Sequence, residues 1–365
     1  MESSELWRYF SPDYVTARQR FLDACEKTSA ELTTLTLSVK GPSDENLSID
    51  IAYIGPDNPT RLLIHTSGVH GVEGFPGSAV QIRLLERISN GDIALDEDCG
   101  LIVAHAINPY GFAWLRRVNE DNADLNRNFL PPNEAYVGEP ERFHELDGLL
   151  NPRSYKSLFD MFSLKAGWVM FSMGFNVAKQ VIAEGQYERP KAMQYGGHQM
   201  YEGPKLWLGY LSKVLPNVKR AVWLDFHTGL GPFGEDSLLV SNELGDEAFS
   251  SLTNRYGSAI QPLDPEAGVA YRIRGGMLEG VSARFPEIDW TLITQEFGTY
   301  KPVKILKTLR AENRMTHWSN IEKRKKVNSA ERRKLVEVFN PNSDKWREMI
   351  MNRGLALFDS ALSDI

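Results

Sequence analysis

An α/β sheet covered by helices on both faces is the architecture this sequence predicts, and three observations carry the prediction. Apolar runs at Leu62–Ile64, Leu101–Ile107, Ala221–Phe226 and Thr291–Phe297 read as strands buried in a sheet interior. The segments between them carry apolar residues at helical spacing, so strands alternate with helices. Histidines, acids and arginines gather in the loops after these runs, where open sheets of this kind place their chemistry. No repeat, low-complexity tract or break in composition divides the chain, so a single domain over residues 1–365 is expected.

The bulk numbers narrow the class. With 42% hydrophobic and 24% charged residues, the chain has the composition of a folded globule with a substantial core. A net charge of −7 argues against nucleic acid or an anionic membrane as a general partner. Cys25 and Cys99 are the only cysteines, which suits a reducing compartment. The opening MESSELWRYF lacks a basic and apolar leader, so a cytoplasmic location is expected. The longest apolar patch, Ala166–Ala178, falls short of the roughly 20 residues a membrane span needs. It contains Ser172 and Asn176 and reads as a buried or groove-lining helix, with no membrane partner.

Taken in order, residues 13–29 place Val15, Phe21, Leu22 and Cys25 on one helix face. Leu35–Val39 and Leu47–Ile54 alternate apolar and polar residues and read as paired strands. After Leu62–Ile64, the spacing of Val80, Leu84 and Ile88 predicts a helix ending near Asn90-Gly91. Leu101–Ile107 is followed by an irregular, polar stretch over 108–150. From about 153 to 215 the pattern is helical, broken at Tyr195-Gly196-Gly197, and reads as a helical insertion. Ala221–Phe226 runs into a glycine-rich loop and a strand at Ser237–Ser241, and Thr291–Phe297 is the last strand. Helical segments at about 304–323, 329–339 and 344–363 close the chain.

The stretch that organises these elements is Arg61–Gly77, RLLIHTSGVHGVEGFPG. A strand empties into a glycine-rich loop that carries His70 and Glu73, an imidazole and a carboxylate of the kind hydrolytic zinc uses. Alone the pair is weak. Seven histidines and 48 acids in 365 residues give about one such spacing by chance, and His144 with Asp147 is a second. Asp225-Phe226-His227-Thr228-Gly229 adds a histidine at the end of another buried strand. Three protein ligands with one open position describe a catalytic zinc site, whereas a structural site is closed by four. Asp225 is a candidate partner for an imidazole, unless its side chain points to the opposite face.

A hydrolytic site also needs a general base, and Glu296 in Thr294–Tyr300 supplies a carboxylate at the end of an apolar strand. The polar stretch from Arg116 to Phe129 supplies guanidinium forks. One could polarise a scissile carbonyl and another could clamp a substrate carboxylate.

These residues, in this order, resemble the zinc carboxypeptidase superfamily. The matching pieces are His70-x-x-Glu73, Asn108-Pro109-Tyr110-Gly111, Arg117, Asp124-Leu125-Asn126-Arg127-Asn128-Phe129, Asp225-x-His227 and Glu296. SGVHGVEG, DLNRNF, DFHTGLG and EFGTY look most like a bacterial branch catalogued as a domain of unknown function. The resemblance is anchored from about residue 50 to 300. It implies a mixed, largely eight-stranded sheet between helices, with one zinc per chain on His70, Glu73 and His227. It further implies Glu296 as general base, Arg117 near the oxyanion, and Asn126 with Arg127 gripping a substrate carboxylate.

The sequence departs from that pattern in three places. Between Arg127 and His227 lie 99 residues, more than digestive members of the superfamily have, so the 153–215 helices could wall or lid a cleft. Arg116 competes with Arg117 for one role and is a second candidate for binding substrate. Tyr271 is the nearest candidate for the mobile tyrosine of the peptidases.

The expected activity is zinc-dependent hydrolysis of an amide, carboxypeptidase-like, on a peptide with a free carboxylate. An N-acyl amino acid deacylase on the same site and a non-catalytic metal-binding scaffold are the alternatives. Blander roles compete residue by residue: a surface turn for His70–Glu73, a core position for His227, a buried ion pair for Glu296, a loop tie for Arg127. Gly229-x-Gly231-x-x-Gly234 is not read as a dinucleotide fingerprint, because a strand follows it. There is no Walker lysine and no Gly-x-Ser-x-Gly elbow. The basic run Lys323–Lys326 with Arg332–Lys334 reads as a solvated helix face. His65, His105, His144, His198 and His317 receive no role, with His198 the nearest to a cleft residue.

Overall fold

The architecture is that of a computed structural model, which describes residues 6–155, 160–241, 244–263 and 273–365. Eight strands build one sheet: β1 (Glu31–Lys40), β2 (Asn46–Ile54), β3 (Arg61–Ser67), β4 (Cys99–His105), β5 (Arg220–Phe233), β6 (Asp236–Val240), β7 (Ile260–Pro262) and β8 (Asp289–Gly298). They lie in the order β1-β2-β4-β3-β5-β8-β6-β7. The central strands β4, β3, β5 and β8 are parallel. Antiparallel pairing of β1 with β2, β2 with β4 and β6 with β8 makes the sheet mixed.

Side chains alternate across a strand, and here the alternation sorts residues into two cores. Val222, Leu224 and Phe226 of β5 join Leu63 and Val103 in one core, packed under the helices Gly74–Ser89 and Asp344–Asp364. Ala221 and Trp223 join Leu62, Ile64 and Ile102 in the other, under the helices Glu202–Val214 and Met277–Ser282. Both faces of the central strands are therefore buried, which is why their sequences are nearly continuous apolar runs.

Register places the site. Ser67 of β3 pairs with Phe226 of β5, and His227 of β5 pairs with Glu296 of β8. Ser67, Phe226 and Gln295 thus lie level on three adjacent parallel strands, and the loop after β3 meets His227 of β5 and Glu296 of β8 at one edge.

Several segments differ from the sequence reading. The helix predicted over 13–29 ends at Cys25, with Asp13 capping the amide of Thr16 at 2.8 Å. The 153–215 segment is not continuously helical. Helices Phe162–Met173 and Phe175–Ala183 are separated by Gly174 at φ 82°, and irregular chain over 184–201 precedes the helix Glu202–Val214. The apolar patch Ala166–Ala178 buries Val169, Met173 and Ala178 but leaves Trp168 and Phe171 exposed. It therefore faces outward as well as inward. The predicted 304–323 helix is two, Pro302–Trp318 and Ile321–Lys325, the second capped by Asn320 on the amide of Lys323. The short β7 and the helices Asp246–Tyr256 and Met277–Ser282 were not predicted. Arg332, expected on a solvated face, is buried. Among the described residues no helix is long and apolar enough to cross a membrane.

The closing helix is tied to the sheet by Trp346, fully buried, whose indole N–H donates to Gly298 O at 2.9 Å. Removing the ring leaves a cavity and an unmet carbonyl at the end of β8. Trp346→Ala is expected to destabilise the protein by about 3–5 kcal/mol in urea unfolding. A loss under about 1 kcal/mol would contradict this packing.

Candidate metal and catalytic site

After β3 the chain turns through a single 3-10 turn, Gly71–Glu73, before the helix Gly74–Ser89. The turn is held by two backbone bonds, Gly71 N–H to Arg117 O and Val72 N–H to Arg116 O, each at 3.0 Å. Only glycine permits this approach: a Cβ at Gly71 would lie 2.0 Å from the carbonyl carbon of Gly111. His70 and Glu73 are thereby fixed against the polar stretch that carries Arg116 and Arg117.

His70, Glu73 and His227 converge, with one ligand atom from each within 4.8 Å of the others, and all three are buried. Nδ1 of His70 lies 3.0 Å from one oxygen of Glu73, and Nδ1 of His227 lies 3.3 Å from the other. The far nitrogen of each ring meets a carboxylate. His227 Nε2 is 2.6 Å from Asp225, and His70 Nε2 is 3.0 Å from Asp124. Asp225 sits two residues before His227 on the same strand face, which resolves its direction. Its second oxygen accepts from Thr66, whose hydroxyl in turn accepts from the Trp223 indole. Carboxylates placed behind imidazoles in this way orient ligating histidines and leave the inner nitrogens facing the site.

The donor set suits a cation. His70 Nδ1 is buried with no hydrogen-bond partner, although an oxygen of Glu73 lies 3.0 Å away. Burial alone would raise the Glu73 carboxyl, yet His70, His227 and Arg117 hold it below the usual range. Burial likewise works against a charge on His227, but Asp225 and Glu73 keep it well above its ordinary value. A positive charge is thus already favoured between these side chains. Two imidazoles and one carboxylate with room for water match a hydrolytic metal site.

Arg117 reaches Glu73 at 2.9 Å, lies 2.7 Å from His70 Nε2 and stands 3.3 Å from Asp124. Arg116 points elsewhere, bonded to Glu312 at 2.9 Å and Asn122 at 2.8 Å. The structure does not bring Arg116 to the cluster. Glu296 comes from β8 beside His227 and accepts from the Leu230 amide at 2.9 Å. Burial, reinforced by the Glu73 charge, pushes its carboxyl up to about 7.

These groups line a cavity of about 230 Å³. Its other walls include apolar side chains, Ile182 of the helix Phe175–Ala183, Leu306 and Leu309 of the helix Pro302–Trp318, and Phe339, beside the polar Lys179, Gln194 and Thr294. Arg127 also lines it but is 1% exposed, with its guanidinium donating to Ala183 O at 2.6 and 3.0 Å and to Asn126 O at 2.7 Å. Three of its five N–H groups are engaged, leaving one on each terminal nitrogen. The Asn126 side chain accepts from the amide of Met277 at 2.9 Å. Tyr271 lies outside the described residues. Asp124, quoted within a motif but given no role from sequence, is the residue that reading missed. No spacing ties it to His70.

The remaining histidines stand apart. His65 and His105 are buried, and burial pushes both down to about 4. His144 is exposed. His198, also exposed, lies within 3.4 Å of the Tyr195 and Tyr201 hydroxyls.

Glu296 carries a stability consequence. Its carboxyl titrates near 7 when folded against an ordinary 4.5, so the folded chain holds a proton that the unfolded chain releases. Stability relative to Glu296→Gln is then lost as pH rises from 4.5 through 7. With metal removed by chelator, Glu296→Gln is expected to be the more stable by on the order of 3 kcal/mol at alkaline pH. The gap should close in acid, and a gap that does not change with pH would contradict the assignment.

The sequence matches the family model described as Protein of unknown function (DUF2817) over residues 10–353. A search of curated proteins finds no match. Bovine thrombin-activatable fibrinolysis inhibitor, solved with tick carboxypeptidase inhibitor, superimposes with a TM-score of 0.50 at 11% identity, covering 98% of each chain. Carboxypeptidase A from Helicoverpa armigera gives 0.48 at 10% identity, over 96% of this chain and 73% of that one. An aspartoacylase family protein from Mesorhizobium loti gives 0.36 at 15% identity, over 80% and 68%. The chain belongs to the DUF2817 family of proteins of unknown function, on a carboxypeptidase-like α/β fold.

Proposed function

We propose that this protein is a zinc-dependent amide hydrolase of carboxypeptidase type, with His70, Glu73 and His227 as the ligands. One observation carries the reading: the three converging donors share a cavity with a second carboxylate, Glu296, buried beside His227. A bound zinc supplies a Lewis acid and makes water a nucleophile at neutral pH. Glu296, in its ionised form, takes a proton from the attacking water and returns it to the leaving nitrogen. Arg117 stabilises negative charge developing on the carbonyl oxygen. The two uncommitted N–H groups of Arg127, with Asn126, take the substrate carboxylate. The apolar wall of Ile182, Leu306 and Leu309 receives an apolar side chain or acyl group.

The cavity volume favours a second reading on the same machinery. About 230 Å³ accommodates a residue-sized group, which suits an N-acyl amino acid as well as the end of a peptide. A metal-binding scaffold without turnover is disfavoured, since it has no use for a buried carboxylate that costs stability when ionised.

The discriminating experiment offers the zinc-loaded protein free peptides, their C-terminal amides and N-acyl amino acids. Cleavage of free peptides that is lost on amidation supports the carboxypeptidase. Turnover of N-acyl amino acids alone supports the deacylase. No turnover of any of them sinks the hydrolase. In Glu296→Gln, kcat/KM should fall by about 10²–10⁴ with zinc content unchanged.

A further inference from the structure

The basic run near residue 330 finds a use that the hydrolytic site does not absorb. Arg332 turns inward from the helix Ala330–Phe339 and is 3% exposed. It lines a second cavity, of about 440 Å³, together with Arg116. The neighbouring Arg117 instead lines the cavity beside His70, so two adjacent arginines divide between two cavities.

Charge in the second cavity is unbalanced. Five cations line it: Arg116, Lys191, Arg324, Lys325 and Arg332. Facing them are Glu120 and Asp121 on the wall, and Glu312 behind it. The excess is two positive charges. At the floor, Arg116 and Arg332 share the single carboxylate of Glu312, at 2.9 and 3.7 Å. The longer distance is an ion pair and not a hydrogen bond, so Arg332 Nε has no hydrogen-bond partner, and the guanidinium's one hydrogen bond is a long one, from Nη1 to Lys326 O at 3.4 Å. Burial is the main pull on Arg332 below its ordinary pKa, and the charge on Arg116 adds to it. A buried guanidinium that only shares a distant carboxylate is under-paired, and a further anion beside it would lower that cost.

His317 adds a second unmet group. Its Nε2 is buried without a partner. Burial, then Arg116, pushes the ring down to about 4, so at neutral pH it is an uncharged imidazole able to donate one N–H. The guanidinium and the imidazole come from different helices, Ala330–Phe339 and Pro302–Trp318. Tyr110 and Trp114, stacked with ring centroids 5.8 Å apart, supply an aromatic wall.

We propose that this cavity binds a small ligand bearing a phosphate dianion, with Arg332 and His317 donating at its floor and Lys191 and Arg324 supplying charge at its mouth. Two excess positive charges match a dianion, where a carboxylate would neutralise one. Donors on separate helices suit the spread oxygens of a tetrahedral group better than the planar pair of a carboxylate. The aromatic wall takes the body of the ligand.

The test is titration calorimetry of the zinc-loaded full chain with inorganic phosphate, beside acetate, at a pH where phosphate is dianionic. Wild type, Lys191→Ala/Arg324→Ala and Arg332→Gln are compared. Lys191 and Arg324 are exposed and outside the hydrolytic cavity, so the double variant is expected to fold and to keep its metal. Saturable phosphate binding in wild type, weakened about tenfold or more in each variant, is the expected result. Acetate should bind more weakly than phosphate. No saturable binding, acetate bound as well as phosphate, or phosphate binding undiminished in the variants would overturn the proposal. Should Arg332→Gln fail to fold, the double variant alone decides it.

Discussion

The geometry of the site depends on one buried carboxylate. Glu73 is 1% exposed, and a charge in that position is tolerated only when it is fully paired. Its four partners come from three places in the chain: His70 beside it, Arg117, and the adjacent His227 and Thr228, the latter through its amide at 3.0 Å. Satisfying Glu73 therefore locks the loop after β3 to the end of β5 and to the polar stretch after β4. A cation between the imidazoles relieves the same requirement, so the group that organises the fold locally is also the one expected to hold metal.

Parallel register does the rest of the positioning. Because the end of β3 lies level with Phe226 of β5 and Gln295 of β8, residues separated by more than 200 positions meet without any long loop having to reach across the molecule. Trp223, Thr66, Asp225 and His227 form one hydrogen-bonded chain from the core outward. A rigid interior thus sets the direction of a ring at the surface of the cleft. Packing of the two cores and placement of the imidazole are consequences of the same alternation along β5.

Much of this was legible in the sequence because it follows periodicity. The central strands announce themselves as apolar runs, and His70, Glu73, His227 and Glu296 each sit just where such a run ends. The side chains in the irregular stretch from Arg116 to Phe129 were harder to read, because no period governs their direction. Arg116 and Arg117 are adjacent and chemically alike, yet one is drawn to Glu312 and the other to Glu73. Arg127 spends three donors on backbone carbonyls, which depends on where Ala183 ends its helix. β7 escaped notice because three residues carry no alternation. Residues 184–201 resembled a helix in composition, but three glycines (Gly185, Gly196 and Gly197) and Pro190 keep the chain irregular.

Metal content decides whether His70, Glu73 and His227 together hold one zinc. Protein purified without chelator is analysed for metals, wild type beside His227→Ala. The account predicts about one zinc per chain in wild type and its loss in the variant. Wild type without stoichiometric metal, or a variant that keeps its zinc, would contradict it.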